Sequence, residues 1–110
     1  MATMDAEIPK SVETVLGPVA VDRVPAIELV DEKGGNYGDF SWSDRRIRVA
    51  EELSEWVAVQ VYRHEWVHLV LADAGLQGAL SDEIEEVVCD AIANALIREA
   101  RASCGALKSV

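Results

Sequence analysis

The sequence His64-Glu65-Trp66-Val67-His68 constrains this chain more than any other stretch. It fits the pattern H-E-x-x-H, and its two histidines are the only ones among the 110 residues. On an α-helix, residues i and i+4 lie one turn apart on one face, so the two imidazoles can hold one metal ion between them. Glu65 lies beside that pair, where it can polarise a metal-bound water. A catalytic zinc site needs three protein ligands and one open position, so the pattern predicts a helix here and a third ligand elsewhere.

The second half of the chain is typical of two helices, from about residue 55 to 74 and from about 82 to 102. Neither Gly nor Pro interrupts the first helix, and Ser54 is its predicted N-cap. Either Ser81 or Asp82 caps the second helix. Because the connection is short, we expect the two helices to pack antiparallel, which returns the start of the second helix to the metal-binding motif.

The first half predicts strands between about residues 11 and 50. A Val- and Ile-rich stretch covers residues 19–30 and is interrupted at Pro25. Its candidate inward positions are Val19, Val21, Ile27 and Leu29. A Gly-rich loop is predicted over residues 31–38, and residues 39–42 and 46–50 flank a hairpin turn. The sequence therefore predicts an α+β fold, in which a small N-terminal antiparallel or mixed sheet of about three to four strands packs on the two C-terminal helices. We expect a single domain over residues 1–110.

Composition limits the partners of this chain. The net charge is −10 at pH 7, which argues against nucleic acid and anionic membrane surfaces as partners. No apolar run is long enough to span a membrane, and residues 1–10 do not resemble a signal peptide. The two cysteines, Cys89 and Cys104, fall in one predicted helix at a separation of ~22 Å, too far for a disulfide. Reduced cysteines predict a cytoplasmic protein.

The third metal ligand cannot be a histidine, because none remains. The acidic candidates at the start of the second helix are Glu83, Glu85, Glu86 and Asp90. We favour Glu86, because Asp90 follows it one turn later and can accept the free N–H of a ligating histidine. Neither Glu83 nor Glu85 has a carboxylate four residues on. Cys89 is a less favoured ligand, since a small buried residue explains it equally well.

The combination of H-E-x-x-H with a following helix that carries E-x-x-x-D resembles the gluzincin metallopeptidases. The short length and β-rich first half are similar to the minimal members, the minigluzincins, and to small H-E-x-x-H proteins of phage and prophage genomes. Tyr37-Gly38 ahead of the hairpin and the apolar strand at residues 47–50 fit the same group. The ImmA/IrrE-like peptidases share the metal pattern more distantly. The resemblance covers most of residues 8–100.

This resemblance implies a zincin-like minimal metallopeptidase fold with one Zn²⁺ per chain. It assigns His64, His68 and Glu86 as the zinc ligands. Glu65 becomes the general base that activates a zinc-bound water to hydrolyse a peptide bond, and Asp90 orients His64.

The resemblance also implies a mode of substrate binding. The strand at residues 47–50 is expected to be the sheet edge that pairs with an extended peptide or protein substrate. Larger gluzincins use a Tyr or His to stabilise the oxyanion, and Tyr37 is the loop candidate here. Two alternatives remain open: a zinc-binding protein without turnover, and a latent form whose terminal segment covers the zinc. Neither the substrate nor the oligomeric state follows from the sequence.

Overall fold

The computed structural model describes residues 8–30 and 36–109, with side chains described through residue 103. A four-stranded mixed sheet is followed by two C-terminal helices, so the predicted α+β class is confirmed. The strands are β1 (Ser11–Thr14), β2 (Gly17–Val24), β3 (Gly38–Ser41) and β4 (Arg46–Ala50), and the helices are α1 (Glu55–Asp73) and α2 (Asp82–Ser109). A short 3-10 helix, Ala26–Leu29, follows β2.

The sheet has the strand order β1-β2-β4-β3. The β2–β4 pair is parallel, with Val21 opposite Ile47, and the other two pairs are antiparallel. Side chains alternate between the two faces of a strand, and Val19, Val21, Ile47 and Val49 are all buried on the face that packs against α1. The core therefore lies between the central strands and α1.

The position of β4 corrects the predicted substrate-binding edge. Residues 47–50 lie in an interior strand, bonded to β2 on one side and to β3 on the other. Its backbone is therefore already used in the sheet, and β4 has no free edge for a peptide. The strand at the edge next to α1 is β3, which begins at Gly38 rather than after a loop that includes it.

The predicted strand over residues 19–30 ends early, at Val24. Pro25 lacks a backbone N–H for the sheet, and the chain turns there into the 3-10 helix. Strand periodicity no longer applies beyond this point. Leu29 is buried as predicted, but Ile27 is 77 % exposed, so its assignment to the core is wrong.

Helix α1 packs directly on the sheet. Its first turn begins after Ser54, whose carbonyl accepts a hydrogen bond from the N–H of Ala58 at 2.8 Å. Ala58, Tyr62 and Leu69 are buried against the central strands. The helix ends at Asp73, and Gly75 then adopts φ = +78°, a conformation that favours glycine.

Helix α2 is longer than predicted. It begins after Ser81, whose hydroxyl accepts a hydrogen bond from the N–H of Ile84 at 3.3 Å, and it continues through Gly105 to Ser109. A glycine inside a helix costs only about 1 kcal/mol, so it does not have to end one. The helix packs on α1 and makes at most slight contact with the sheet.

The parts of the chain that the structure describes contain no helix that combines the length and the apolar character needed to cross a bilayer.

Candidate metal centre

The two histidines of α1 lie side by side and face α2. Their Nε2 atoms are 3.2 Å apart and their ring centroids 4.8 Å apart. The side chains of His64 and His68 are 13 % and 16 % exposed, so both rings are largely withdrawn from water. The helix was predicted from the absence of Gly and Pro, and the i, i+4 spacing brings the two nitrogens together as expected.

Glu86 of α2 closes the same group of atoms. One carboxylate oxygen lies 2.9 Å from His64 Nε2, and the other lies 3.1 Å from His68 Nε2. The residue projects from the face of α2 that returns antiparallel past α1. The structure thus brings together the three residues that the sequence analysis assigned as zinc ligands.

The spacing of the two histidine nitrogens suits two ligands of one tetrahedral zinc ion. Metal–ligand bonds of about 2.0–2.1 Å place two ligand atoms roughly 3.3 Å apart, close to the 3.2 Å between the two Nε2 atoms. Glu86 approaches the two rings with different carboxylate oxygens, and one ligand atom from each of the three residues lies within 4.8 Å of the others. In the tautomer that carries its proton on Nδ1, each ring directs an Nε2 lone pair toward the Glu86 carboxylate. These three residues could hold a divalent cation between them.

The outer nitrogen of each ring meets a carboxylate of α2. His64 Nδ1 lies 2.6 Å from Asp90 Oδ1, and His68 Nδ1 lies 2.5 Å from a Glu85 carboxylate oxygen. An Nδ1–H donated to a carboxylate fixes the tautomer, which leaves the Nε2 lone pair free to bind a metal. The Asp90–His64 contact is the one that the sequence analysis expected.

The Glu85–His68 contact was missed. The sequence does not indicate it, because no carboxylate follows Glu85 one turn later and its partner lies on the other helix. The antiparallel packing of the two helices could have indicated this partner. When helices pack antiparallel, residues four positions later on α1 face residues about four positions earlier on α2. Once Asp90 is paired with His64, the partner of His68 has to lie near Glu85 or Glu86. Gln60 was also missed; its amide lies 3.5 Å from Asp90 Oδ1.

Glu65 lies in the cleft between α1 and β3. A Cβ placed on Gly38 would lie 3.5 Å from Glu65 Cγ, so the edge strand approaches this side chain closely. The pKa of Glu65 is raised to about 7, mainly by burial; His64 opposes the shift, and the nearby carboxylates of Glu86, Asp39 and Asp90 add to it. Binding of a divalent cation beside Glu65 would lower that pKa, because positive charge favours the carboxylate form.

A second group of ligand-type atoms overlaps this centre. It consists of His68, Glu85 and Cys89. A neutral imidazole has one lone pair, so His68 cannot bind a metal through Nε2 and through Nδ1 at once. Cys89 is fully buried, and burial raises the pKa of its thiol to about 12, which disfavours the thiolate that a metal requires. The group containing Glu86 is therefore the better metal site.

The candidate metal centre opens into a cleft of about 500 Å³ between α1, α2 and β3. Residues of β3 and of the segment before it form one wall, and they include Tyr37, Gly38, Asp39 and Phe40. Tyr37 is 65 % exposed at this wall, which leaves its phenol accessible to a molecule in the cleft. Among the described residues that line the cleft, none is a lysine or an arginine.

Comparisons with models of protein families, with curated proteins and with solved structures find no match to this chain.

Proposed function

We propose that this chain is a zinc-dependent metallopeptidase. The observation that carries the proposal is the arrangement around the two histidines. Each ring has a carboxylate on Nδ1 and directs Nε2 toward Glu86, and Glu65 lies next to that point in an open cleft. Structural zinc sites are closed by four protein ligands, whereas catalytic sites keep a position open. Three ligands beside a cleft favour the catalytic kind.

A bound Zn²⁺ supplies Lewis-acid chemistry, which brings the pKa of water to about 7 and polarises a peptide carbonyl. The residues of the chain have separate tasks. Asp90 and Glu85 hold the two imidazole rings in the ligating tautomer. Glu65 accepts a proton from the attacking water and delivers it to the amine nitrogen of the leaving peptide. The general acid and base is thus one side chain, and its position beside the cleft favours that assignment.

The substrate in this proposal is a peptide or protein segment in extended form. The edge strand β3 supports it, because the backbone of an edge strand can pair with another chain. This strand borders the cleft, whereas β4, the strand named from the sequence, does not have a free edge. Tyr37 precedes β3 in the wall of the cleft and is the candidate for stabilising the oxyanion.

Two measurements test the proposal. Elemental analysis of the purified protein should find about one zinc per chain, and denatured casein should be cleaved by the wild type. Glu65→Gln should retain zinc and lose cleavage, because an amide cannot accept the proton. Glu83→Gln, which removes an exposed carboxylate from the same region, is the matched control and should retain both properties.

The outcomes separate the alternatives. Zinc without cleavage in the wild type would indicate a metal-binding protein without turnover. Cleavage that begins only after a terminal segment is trimmed would indicate a latent form. A protein that retains no zinc would contradict the metal centre itself, and equal cleavage by Glu65→Gln would contradict the assigned base.

A further inference from the structure

Helix α2 has an apolar face that no other described element covers. Its inward face, with Cys89 and Ala93 fully buried, packs on α1. On the opposite face, Ile84, Val87 and Ile92 are 54 %, 67 % and 40 % exposed. We call this outward face the α2 stripe; it consists of Ile84, Val87, Val88, Ala91, Ile92, Ala95 and Ala102. These residues lie along one side of the helix over ~27 Å, and the exposed side chains of Arg98 and Glu99 occupy the turn between Ala95 and Ala102 on that side.

We propose that the α2 stripe is an antiparallel interface with a second copy of this chain. The first reason is shape. The large side chains lie in the N-terminal half of the stripe, and the alanines Ala95 and Ala102 lie in the C-terminal half. An antiparallel pair that crosses at Ala91 places Val87 of each helix against Ala95 of its partner and the two Ala91 residues against each other. A parallel pair would place large residues against large and leave a gap between the alanines.

Charge gives the second reason, independently of shape. Five carboxylates lie in the first half of α2, between Asp82 and Asp90, and Arg98 borders the C-terminal half of the stripe. With the crossing at Ala91, Arg98 of one copy lies level with residues 83 and 84 of the other. The guanidinium then meets the carboxylate of Glu83, and two-fold symmetry forms this contact twice. A parallel pair would oppose like charges instead.

A membrane surface fits the α2 stripe less well. Helices that lie on membranes carry Lys and Arg beside the apolar face, where they meet anionic headgroups. Here the N-terminal half is flanked by carboxylates, which such a surface repels.

The area of the α2 stripe limits the strength of the contact between two copies. A face ~27 Å long and ~10 Å wide covers a few hundred Å² per copy, below the ~800 Å² of a standard interface. The pair should therefore dissociate on dilution.

Sedimentation velocity of the full chain tests this interface, from about 1 µM to about 200 µM, where a contact of this size dissociates. All variants carry Glu65→Gln, so self-cleavage cannot alter the mass. The mass should rise from one chain of 12.0 kDa toward two chains with concentration. Val87→Glu should weaken association by at least ~10-fold, because it places a charge in the contact. Val15→Glu, at an exposed position in the β1–β2 turn, is the matched control and should leave association unchanged.

Charge reversal tests the antiparallel arrangement separately. Arg98→Glu and Glu83→Arg should each weaken association, and the double variant should recover most of it. Circular dichroism would establish that each variant keeps its helix content. A single-chain mass at every concentration would overturn the proposal. Failure of the double variant to recover, with both single variants weakened, would overturn it as well, because only an antiparallel pair joins these two positions.

Discussion

His68 and Glu85 are joined across the two helices by a contact of 2.5 Å between Nδ1 and a carboxylate oxygen. The Glu85 side chain is only 17 % exposed, whereas Asp90, which makes the equivalent contact with His64, is 58 % exposed. A carboxylate held in a drier place polarises its ring more strongly. The two histidines are therefore supported unequally, with the stronger support at His68.

Glu85→Gln should weaken zinc affinity by about 10- to 100-fold, since residues that orient metal ligands typically contribute this much. Asp90→Asn should weaken it by less, because its contact is exposed to water. Competition with a zinc chelator measures both affinities, and Glu83→Gln is the control on the same turn of α2. An affinity in Glu85→Gln equal to that of the wild type would assign Glu85 to packing alone.

Gly38→Ala should lower the free energy of unfolding by about 1–3 kcal/mol, the usual effect of adding a methyl group to a packed contact. A Cβ at this position would lie 2.5 Å from Val61 Cγ1 and 3.1 Å from the Arg48 carbonyl oxygen, so β3 and α1 would have to separate. Urea denaturation measures the loss. Adding Val61→Ala removes the closest contact and should restore part of the stability; no recovery would indicate that the Arg48 carbonyl dominates.

Asp73 should make the stability of the metal-free protein depend on pH in the acid range. The Arg45 guanidinium hydrogen-bonds to Asp73 and holds the pKa of that carboxyl at about 2 in the folded chain, below about 3.9 in an unfolded one. A lowered folded pKa contributes stability above about pH 4, and that contribution is lost as the pH falls toward 2.

Asp73→Asn should therefore lose about 1–3 kcal/mol at neutral pH and show a flatter decline between pH 4 and pH 2. Urea denaturation at a series of pH values, with zinc absent throughout, gives both quantities. Asp44→Asn, which removes a carboxylate near the same turn, controls for the change in net charge. Parallel pH profiles of wild type and Asp73→Asn would show that the ion pair contributes nothing to acid stability.

The charge of the cleft predicts a preference among substrates, provided that the proposed peptidase activity holds. Carboxylates line it, including Asp39, Glu85 and Glu86, and its described lining contains no lysine or arginine. Peptides with Lys or Arg near the cleaved bond should therefore have a kcat/KM about 2- to 10-fold higher than matched peptides with Asp or Glu. Added salt should reduce the difference, because it screens charges at the surface. A preference that salt does not change would indicate that a specific pocket binds the side chain, and not the overall negative potential of the cleft.

Local patterns in the sequence predicted the parts of this molecule that depend on neighbours along the chain. The spacing of His64 and His68, and of Glu86 and Asp90, follows from helical geometry alone. The alternation that buries Ile47 and Val49 is likewise local. These features needed only the periods of a helix and a strand.

Contacts between residues far apart in the sequence could not be predicted in the same way. The β2–β4 contact joins strands separated by the 3-10 helix and by β3, so nothing near residue 47 indicates that it occupies the interior of the sheet. Glu85 was missed because its partner lies 17 residues away on another helix. Gly105 shows a different limit: it is a statistical signal for the end of a helix, and the helix continues through it.

The attachment of α2 to a single neighbouring helix gives the metal centre a consequence for stability. In the described chain, α2 is held mainly by α1, and His68 and Glu86 are 18 residues apart. An ion bound by both residues would cross-link them and close the loop between them. Closing a loop of this size removes roughly 3 kcal/mol of chain entropy from the unfolded state. The ion would thus set how firmly the second helix is docked, and chelation would loosen α2 first while the sheet and α1 keep their shared core.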